Sequence, residues 1–466
     1  MNIDRRGFFA AFAAAASATA ATPACARQAE NTERTGEADP ERERAPGVAI
    51  DATSLGLQPN AAEDQATVFQ RAIDRAATAR AVLHLAPGFY RTGPLKLPSH
   101  AAIAGVPGAT RLLMSGGPSM LSAAGGDHIS LTGLLLDGNN APLPAQGGLV
   151  HLVQVRAVRI ADCEVVNAGG NGITLEATEG EVTGNTISAA DAAIFSLDAR
   201  GLRIASNTIR GAGNGGILVW RSTPGDDGTL VIDNRIEDIR NKSGGSGQYG
   251  NAINVFRADN VIVRGNRIRN AAFSAVRGNK ASNLQIVGNT CTGLGEVALY
   301  AEFGFEGALI ANNIVDGAAI GVSVTNFNEG GRLAVVQGNL IRNLIGRRPP
   351  GTDPNDGAGI GIGIEADTVV TGNIVENAPN AGIAAGWGAY LRDVAISSNV
   401  IRGADYGITV SVAPGAGAAV IADNLISGVR RGAIVGMEGK NPVAGDLIKD
   451  GAARYAQLSI GGNRVR

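Results

Sequence analysis

Apolar and polar residues alternate along this chain in short runs, and the runs close on one phrase. In Val182-Thr183-Gly184-Asn185-Thr186-Ile187 two apolar positions flank a Gly-Asn corner, and a second alternation ending Asp191-Ala192-Ala193-Ile194 follows at once. Asn returns to the same slot at Asn207, Asn234, Asn266, Asn289, Asn313, Asn339, Asn373, Asn399, Asn424 and Asn463, at steps of 22 to 39 residues. Self-similarity with a period between about 20 and 50 residues marks a solenoid. Runs such as Val261-Ile262-Val263 and Ile362-Gly363-Ile364 are too short for a helical stripe, which needs about ten residues, and read as strands.

Composition narrows the choice. Gly supplies 66 of 466 residues, about twice the usual 7%, and that much glycine disfavours helix. Coils of short strands and tight turns, stacked at about 4.8 Å, form a parallel β-helix, right-handed as parallel crossovers are. The fold class expected is therefore all-β: a right-handed single-stranded parallel β-helix of about 13 coils with an Asn ladder. The ladder Asn is expected to take the left-handed conformation at a coil corner and to bond its amide to the next along the axis. Cys163 occupies the slot one coil before Asn185, so the column begins there.

Residues 1–26 read as an export signal, outside the fold. Asp4-Arg5-Arg6-Gly7-Phe8-Phe9 resembles a twin-arginine motif, without the usual basic residue at Ala10. The apolar run 10–21 is too short to span a bilayer, and Ala24-Cys25-Ala26 offers a cleavage site. Thr22-Pro23-Ala24 lacks the aliphatic residue that lipidation at Cys25 would want. Residues 27–46, charged and aperiodic, read as a disordered linker. Residues 47–100 read as an N-terminal cap: Asn60 and Glu63 form a capping box, and Phe69, Ala72, Ile73 and Ala76 an apolar helix face that shields the first coil's edge. The repeat domain fills 101–466, with lengthened connections at 221–229, 240–250, 344–357 and 437–458 that wall one flank, the last also capping the C-terminal coil.

The helix followed by Val82-Leu83-His84-Leu85-Ala86-Pro87-Gly88-Phe89-Tyr90, by Gly93-Pro94-Leu95-Lys96-Leu97-Pro98-Ser99 and by Leu134-Leu135-Leu136-Asp137-Gly138-Asn139 resembles the pectate-lyase-like β-helix proteins. Joined to the export signal, the array is similar to the twin-arginine-translocated repeat proteins, a family without an assigned activity. The resemblance implies fold and export, and an analogy with a superfamily rich in lyases, hydrolases and epimerases. The aspartate trio with a Gly-His-Gly turn that marks the hydrolases, and the calcium-binding aspartates with an arginine base that mark the lyases, are not found.

A β-helix turns distant residues into columns. On the strand that ends each coil the outward column is expected to run Glu176, Leu197, Trp220, Phe256, Asn279, Tyr300, Thr325, Glu365, Gly386, Ser411, Met437. Half of the 16 aromatics beyond residue 26 fall between Trp220 and Phe327, which singles out the middle coils. Aromatic faces beside cations and amides suit an acidic polysaccharide. The substrate-binding candidates are Trp220, Arg221, Asn254, Phe256, Arg257, Asn279 and Asn326. For proton abstraction beside a sugar carboxylate, Arg257, Arg277 or Lys280 would neutralise the carboxylate and Tyr300 or Glu302 act as base. For hydrolysis, Glu302 and Glu365 stand two coils apart, about 10 Å, against the roughly 6.5 to 9.5 Å of an inverting pair. The same aromatics also fit a non-catalytic binder, or a structural solenoid that meets a protein or another copy of itself.

Other classes drop out. Cys163 and Cys291 lie about five coils, some 24 Å, apart, too far for a disulfide or a metal centre, and no cofactor is expected. Asp353-Pro354-Asn355-Asp356-Gly357 reads as a turn and not a calcium loop. All four His precede the middle coils, so imidazole chemistry is not expected there. A net charge of −2 without a basic run argues against nucleic acid, and the chain beyond 26 has no membrane-length apolar run. The expected partners are the twin-arginine export machinery and an acidic polysaccharide, in the periplasm or outside the cell.

Overall fold

One hydrogen-bonded column of asparagines runs through the solenoid from Asn185 to its last coil at Asn463. Asn289 Nδ2 donates to Asn313 Oδ1 at 3.0 Å and to the Val263 carbonyl of the preceding coil at 3.0 Å, while its backbone N–H donates to the same Asn313 oxygen at 2.9 Å. The pattern repeats from Asn185 to Asn463, and Cys163 opens it by donating its N–H to Asn185 Oδ1. Every amide is thereby satisfied inside the wall, where an unpaired polar group would cost most. The computed structural model describes residues 48–466 apart from 246, 351, 353–356 and 450. The expected export signal, the linker and most of the turn at 353–357 lie outside the described residues.

Three parallel faces build about 14 right-handed turns. The first face, 16 strands from Ala49–Asp51 to Leu458–Gly461, precedes the ladder. The second follows it, in strands such as Thr186–Ser188, and the third follows the second, in strands such as Ala192–Leu197. One continuous core of Leu, Ile, Val and Ala fills the interior, Cys163 and Cys291 included, and burial pushes their thiols up to about 11 and about 12.

The ladder residues themselves are not left-handed, contrary to expectation. That conformation falls on the residue before each, such as Gly184 (φ 70°), Asp233 (φ 58°) and Asn312 (φ 57°). The turn is made one position early, which frees the Asn side chain to point into the wall.

At the N-terminus the helix Ala66–Thr78 buries Phe69, Ala72, Ile73 and Ala76 as its periodicity predicts. The Asn60 to Glu63 capping box does not form: the helix starts later, Asp64 Oδ1 accepts the Ala66 N–H at 2.7 Å, and Asn60 (φ 64°) instead accepts the Phe89 N–H. Strand pairing already begins at Ala49–Asp51 against Val82–His84, so the helix is an excursion within the first coil. At the other end Gly432–Glu438 and Asn441–Asp446 form the one antiparallel pair among the described strands, and Leu447 buries into the core behind it. Among the described residues no helix is long and apolar enough to cross a membrane.

Lengthened connections flank the third face on both sides. Residues 240–250 and 344–357 lie where the second face turns into the third, and 221–229 and 437–458 where the third turns into the first. Much of 221–229 is strand, because Gly215–Asp226 runs on to pair Gly225 with Ala258.

Candidate functional site

Strict alternation fails at the start of each third-face strand, and that decides which residues line the surface. Ala298 and Leu299 both enter the core, as do Ala193 and Ile194. From Gly172 onward the first of the two inward residues is Gly or Ala, whereas Leu149 fills that place one coil earlier. The outward positions are then fixed by register. One column carries His151, Thr174, Phe195, Leu218, Asn254, Arg277, Tyr300 and Ser323. The other carries Glu176, Leu197, Trp220, Phe256, Asn279 and Glu302. Ala301, Val324, Ile364 and Ala385 pair in turn, which sets Glu302, Thr325, Glu365 and Gly386 beside one another. Tyr300 therefore does not follow Asn279, as the sequence suggested; Glu302 does. The misplacement is two residues, from counting Val297 as the first inward position when it packs outside with Tyr300 and Ile320.

The lower half of this surface is aromatic. Phe195, Trp220 and Phe256 meet edge to face with centroids 5.3 and 5.8 Å apart, the geometry ring quadrupoles favour. Trp220 Nε1 donates to Asn254 Oδ1 at 3.0 Å, and Asn254 Nδ2 donates to the Gly247 carbonyl of the 240–250 loop at 2.8 Å. The Arg257 guanidinium lies 4.7 Å from the Phe256 centroid and donates to the Ser222 carbonyl. Arg221 donates to the Ala199 carbonyl. Leu197, Trp220 and Phe256 are half-buried.

The upper half is ionic and closed. Arg277 Nε donates to Glu302 Oε1 at 2.7 Å and Nη2 to Oε2 at 2.9 Å; Nη1 reaches Glu296 Oε2 at 3.3 Å. Asn279 Nδ2 adds a bond to Glu302 Oε1, and Arg348, delivered by the 344–357 loop, donates to Glu296 Oε1 at 2.8 Å. Burial works against the Arg277 charge, but Glu302 and Glu296 outweigh it and hold its pKa above the ordinary arginine value. Glu302 is 2% exposed, its oxygens already accept three donors, and a base there would first have to give these up. The Tyr300 ring packs 5.0 Å from the Arg277 guanidinium.

The remaining candidates scatter. Lys280 is exposed beside this cluster. Asn326 (φ 72°) accepts the Phe303 N–H, a turn role. Glu365 accepts the Phe327 N–H at 2.7 Å, and burial raises its pKa. Sequence reasoning missed Phe195, Glu296 and Arg348. It also set His151 aside, yet His151 shares the outward face and pairs with Glu176 at 2.8 Å, three coils before Leu218.

The sequence matches two family models in part: one described as a right handed beta helix region, over residues 224–392, and one described as periplasmic copper-binding protein (NosD), over residues 123–257. Among the described residues no three His, Cys, Asp or Glu side chains are grouped so as to hold a metal ion. No curated protein matches the sequence. Among solved structures, a PL6 alginate lyase in complex with a trisaccharide superposes with a TM-score of 0.51 at 15% identity, covering 90% of this chain and 96% of that one. Tailspike protein 3 of bacteriophage CBA120 gives 0.48 at 11%, covering 89% and 61%. The catalytic unit of an α-1,3-glucanase from Streptomyces thermodiastaticus gives 0.47 at 13%, covering 90% and 70%.

Proposed function

We propose that this chain, whose fold is the pectate-lyase-like right-handed parallel β-helix, is an exported protein that binds an acidic polysaccharide along its third face. The observation that carries the reading is the half-buried Trp220 and Phe256 on one outward column of successive coils, backed by the buried Phe195, with the Arg257 guanidinium against Phe256. Half-buried aromatic rings offer apolar surface to sugar C–H groups, and a guanidinium beside them selects carboxylates. The alginate lyase of the same fold, solved with a trisaccharide, supports a carbohydrate ligand. The periplasmic description of one matching family and the Arg5-Arg6 motif support export.

Binding is favoured over catalysis because Arg277 and Glu302, which would have to neutralise and deprotonate a uronate, neutralise each other in a buried pair. One observation favours a second reading, as a lyase, hydrolase or epimerase. Burial raises the pKa of Glu365, the direction that suits a general acid, and Tyr300 lies two coils before it on the same face. Trp220 fluorescence, read in a Trp387→Phe background, separates the readings when polygalacturonate, alginate and a neutral glucan are titrated in. A shift with the acidic polymers and no new reducing ends or unsaturated uronates supports the binder; turnover that Glu365→Gln abolishes supports the enzyme. No shift with either acidic polymer overturns both.

A further inference from the structure

A cleft of about 480 Å³ opens at the corner where the second face turns into the third, spanning five successive coils between residues 140–146 and 240–242. Its size falls within the few hundred to about 1,000 Å³ of small-ligand sites. We propose that it binds a short acidic oligosaccharide lying along the coils, with a carboxylate-bearing sugar unit at its cationic end. The inference rests on the carbohydrate reading above and gives it a second, separate subsite.

Two cations face the cleft without forming an ion pair among the described residues. On this flank the neighbouring arginines are paired: Arg269 with Glu237 at 3.2 Å, Arg342 with Asp316 at 2.9 Å, Arg430 with Asp405 at 2.5 Å. Among the described residues no carboxylate lies within 4.0 Å of Arg240 or Lys242. Arg240 Nη2 donates to the Gly211 carbonyl at 3.2 Å and leaves its other guanidinium donors open. The Lys242 stem crosses Gly213, where an added Cβ would stand 3.1 Å from Lys242 Cδ. Glycine there lets the stem lie flat. Asp191 also lines the cleft, but Asn214 Nδ2 holds its Oδ1 at 2.7 Å, so the three side chains sum to one positive charge.

The far end differs in chemistry. The side-chain amides of Asn140 and Gln146 make no hydrogen bond among the described residues, and Leu143 supplies an apolar wall. Four coil steps of about 4.8 Å separate the two ends, a length that several linked sugar units span, with a carboxylate at the cations and hydroxyls against the apolar wall and the amides.

The test titrates the mature chain calorimetrically with trigalacturonate, neutral maltotriose and inorganic phosphate, then repeats it with Arg240→Gln/Lys242→Gln and with Trp220→Ala. Trigalacturonate should bind at least tenfold more tightly than maltotriose, and the double variant should lose about tenfold or more while circular dichroism and the Trp220 response to polymer stay unchanged. Lys242→Met alone, at an exposed side chain, serves should the double variant misfold, and should weaken binding in the same direction. Equal binding of trigalacturonate by the parent and the double variant overturns the proposal. So does phosphate binding as tightly as trigalacturonate, which would mean an unselective anion site. If polymer shifts Trp220 but trigalacturonate does not bind, the cleft alone fails; if neither occurs, the carbohydrate reading fails with it.

Discussion

Arg277 and Glu302 stand one coil apart on the third face, joined by two nearly parallel N–H···O bonds of 2.7 and 2.9 Å with both side chains under a tenth exposed. Glu296 on the far side of Arg277 and Arg348 beyond it continue the alternation of charge and fasten the 344–357 loop to the sheet. Such a cluster stabilises only as a whole. Removing one charge from a buried pair costs about 3 to 5 kcal/mol, because its partner stays buried and unpaired, whereas replacing both with apolar residues is often neutral. Glu302→Gln should therefore lower the urea midpoint markedly, and Arg277→Met/Glu302→Leu should recover most of it. Equal loss in the single and double variants would show that the pair does not act as a unit.

The ladder makes a sharper prediction. Asn313 accepts both the backbone and side-chain N–H of Asn289 and donates to Asn339 Oδ1 and to the Ile286 carbonyl, all within 3.0 Å. Asn313→Ala strips partners from several buried groups at about 1 to 3 kcal/mol each, so a loss of roughly 3 to 5 kcal/mol is expected in denaturant titration. Asn463→Ala, at the half-exposed last rung, should cost about 1 kcal/mol. If the two cost the same, the column is a row of independent turns.

What the sequence could disclose follows from range. The Asn column was legible because each rung repeats the same local phrase, and the helix face at Phe69 and Ile73 because its periodicity is local. The third-face exterior was half legible: Trp220 and Phe256 fell in one column, but Tyr300 slipped two places because Ala298 and Leu299 turn inward together. The local signal, a Gly or Ala ahead of the second inward residue, was masked there by the apolar Val297, which packs outside. The Glu296 to Arg348 contact, 52 residues long, depends on how an irregular loop folds back, and so the two residues that close Arg277 into its cluster had no signal at all.

The doubled inward step can be probed by itself. A Cβ on Gly361 would stand 2.4 Å from the Gly382 carbonyl and 2.5 Å from Val375 Cγ1, whereas one on Gly363, two residues on and facing outward, would meet nothing within 4 Å. Gly361→Ala should cost about 1 to 3 kcal/mol by overpacking. Gly363→Ala should be neutral or gain a few tenths through the unfolded chain. Melting temperatures of the two variants measured side by side check the contrast, and a Gly361→Ala protein as stable as the parent would contradict the inward placement of that residue.

Asp227 supplies a prediction in pH. Its side chain is fully buried; Oδ1 accepts the Thr229 hydroxyl at 2.5 Å and Oδ2 has no hydrogen-bond partner, with Arg221 Nη1 as far as 3.9 Å. Burial outweighs these and pushes the carboxyl up to about 6 from an unfolded value of 3.8. A carboxyl whose pKa is raised by folding binds its proton more tightly in the native state, so its contribution is full below about pH 4 and is lost as pH rises towards 6. A rise of that size is worth about 3 kcal/mol. Asp227→Asn keeps the shape and removes the titration. Its stability relative to the parent should rise by about 2 kcal/mol between pH 4 and pH 7, read as the difference of urea midpoints, which cancels the other carboxylates. Asp367, held below the usual range by hydrogen bonds from Arg392, works in the opposite sense and is common to both proteins. A difference that stays flat across that window would mean that Asp227 is charged throughout and that Arg221 is a closer partner in solution than 3.9 Å implies.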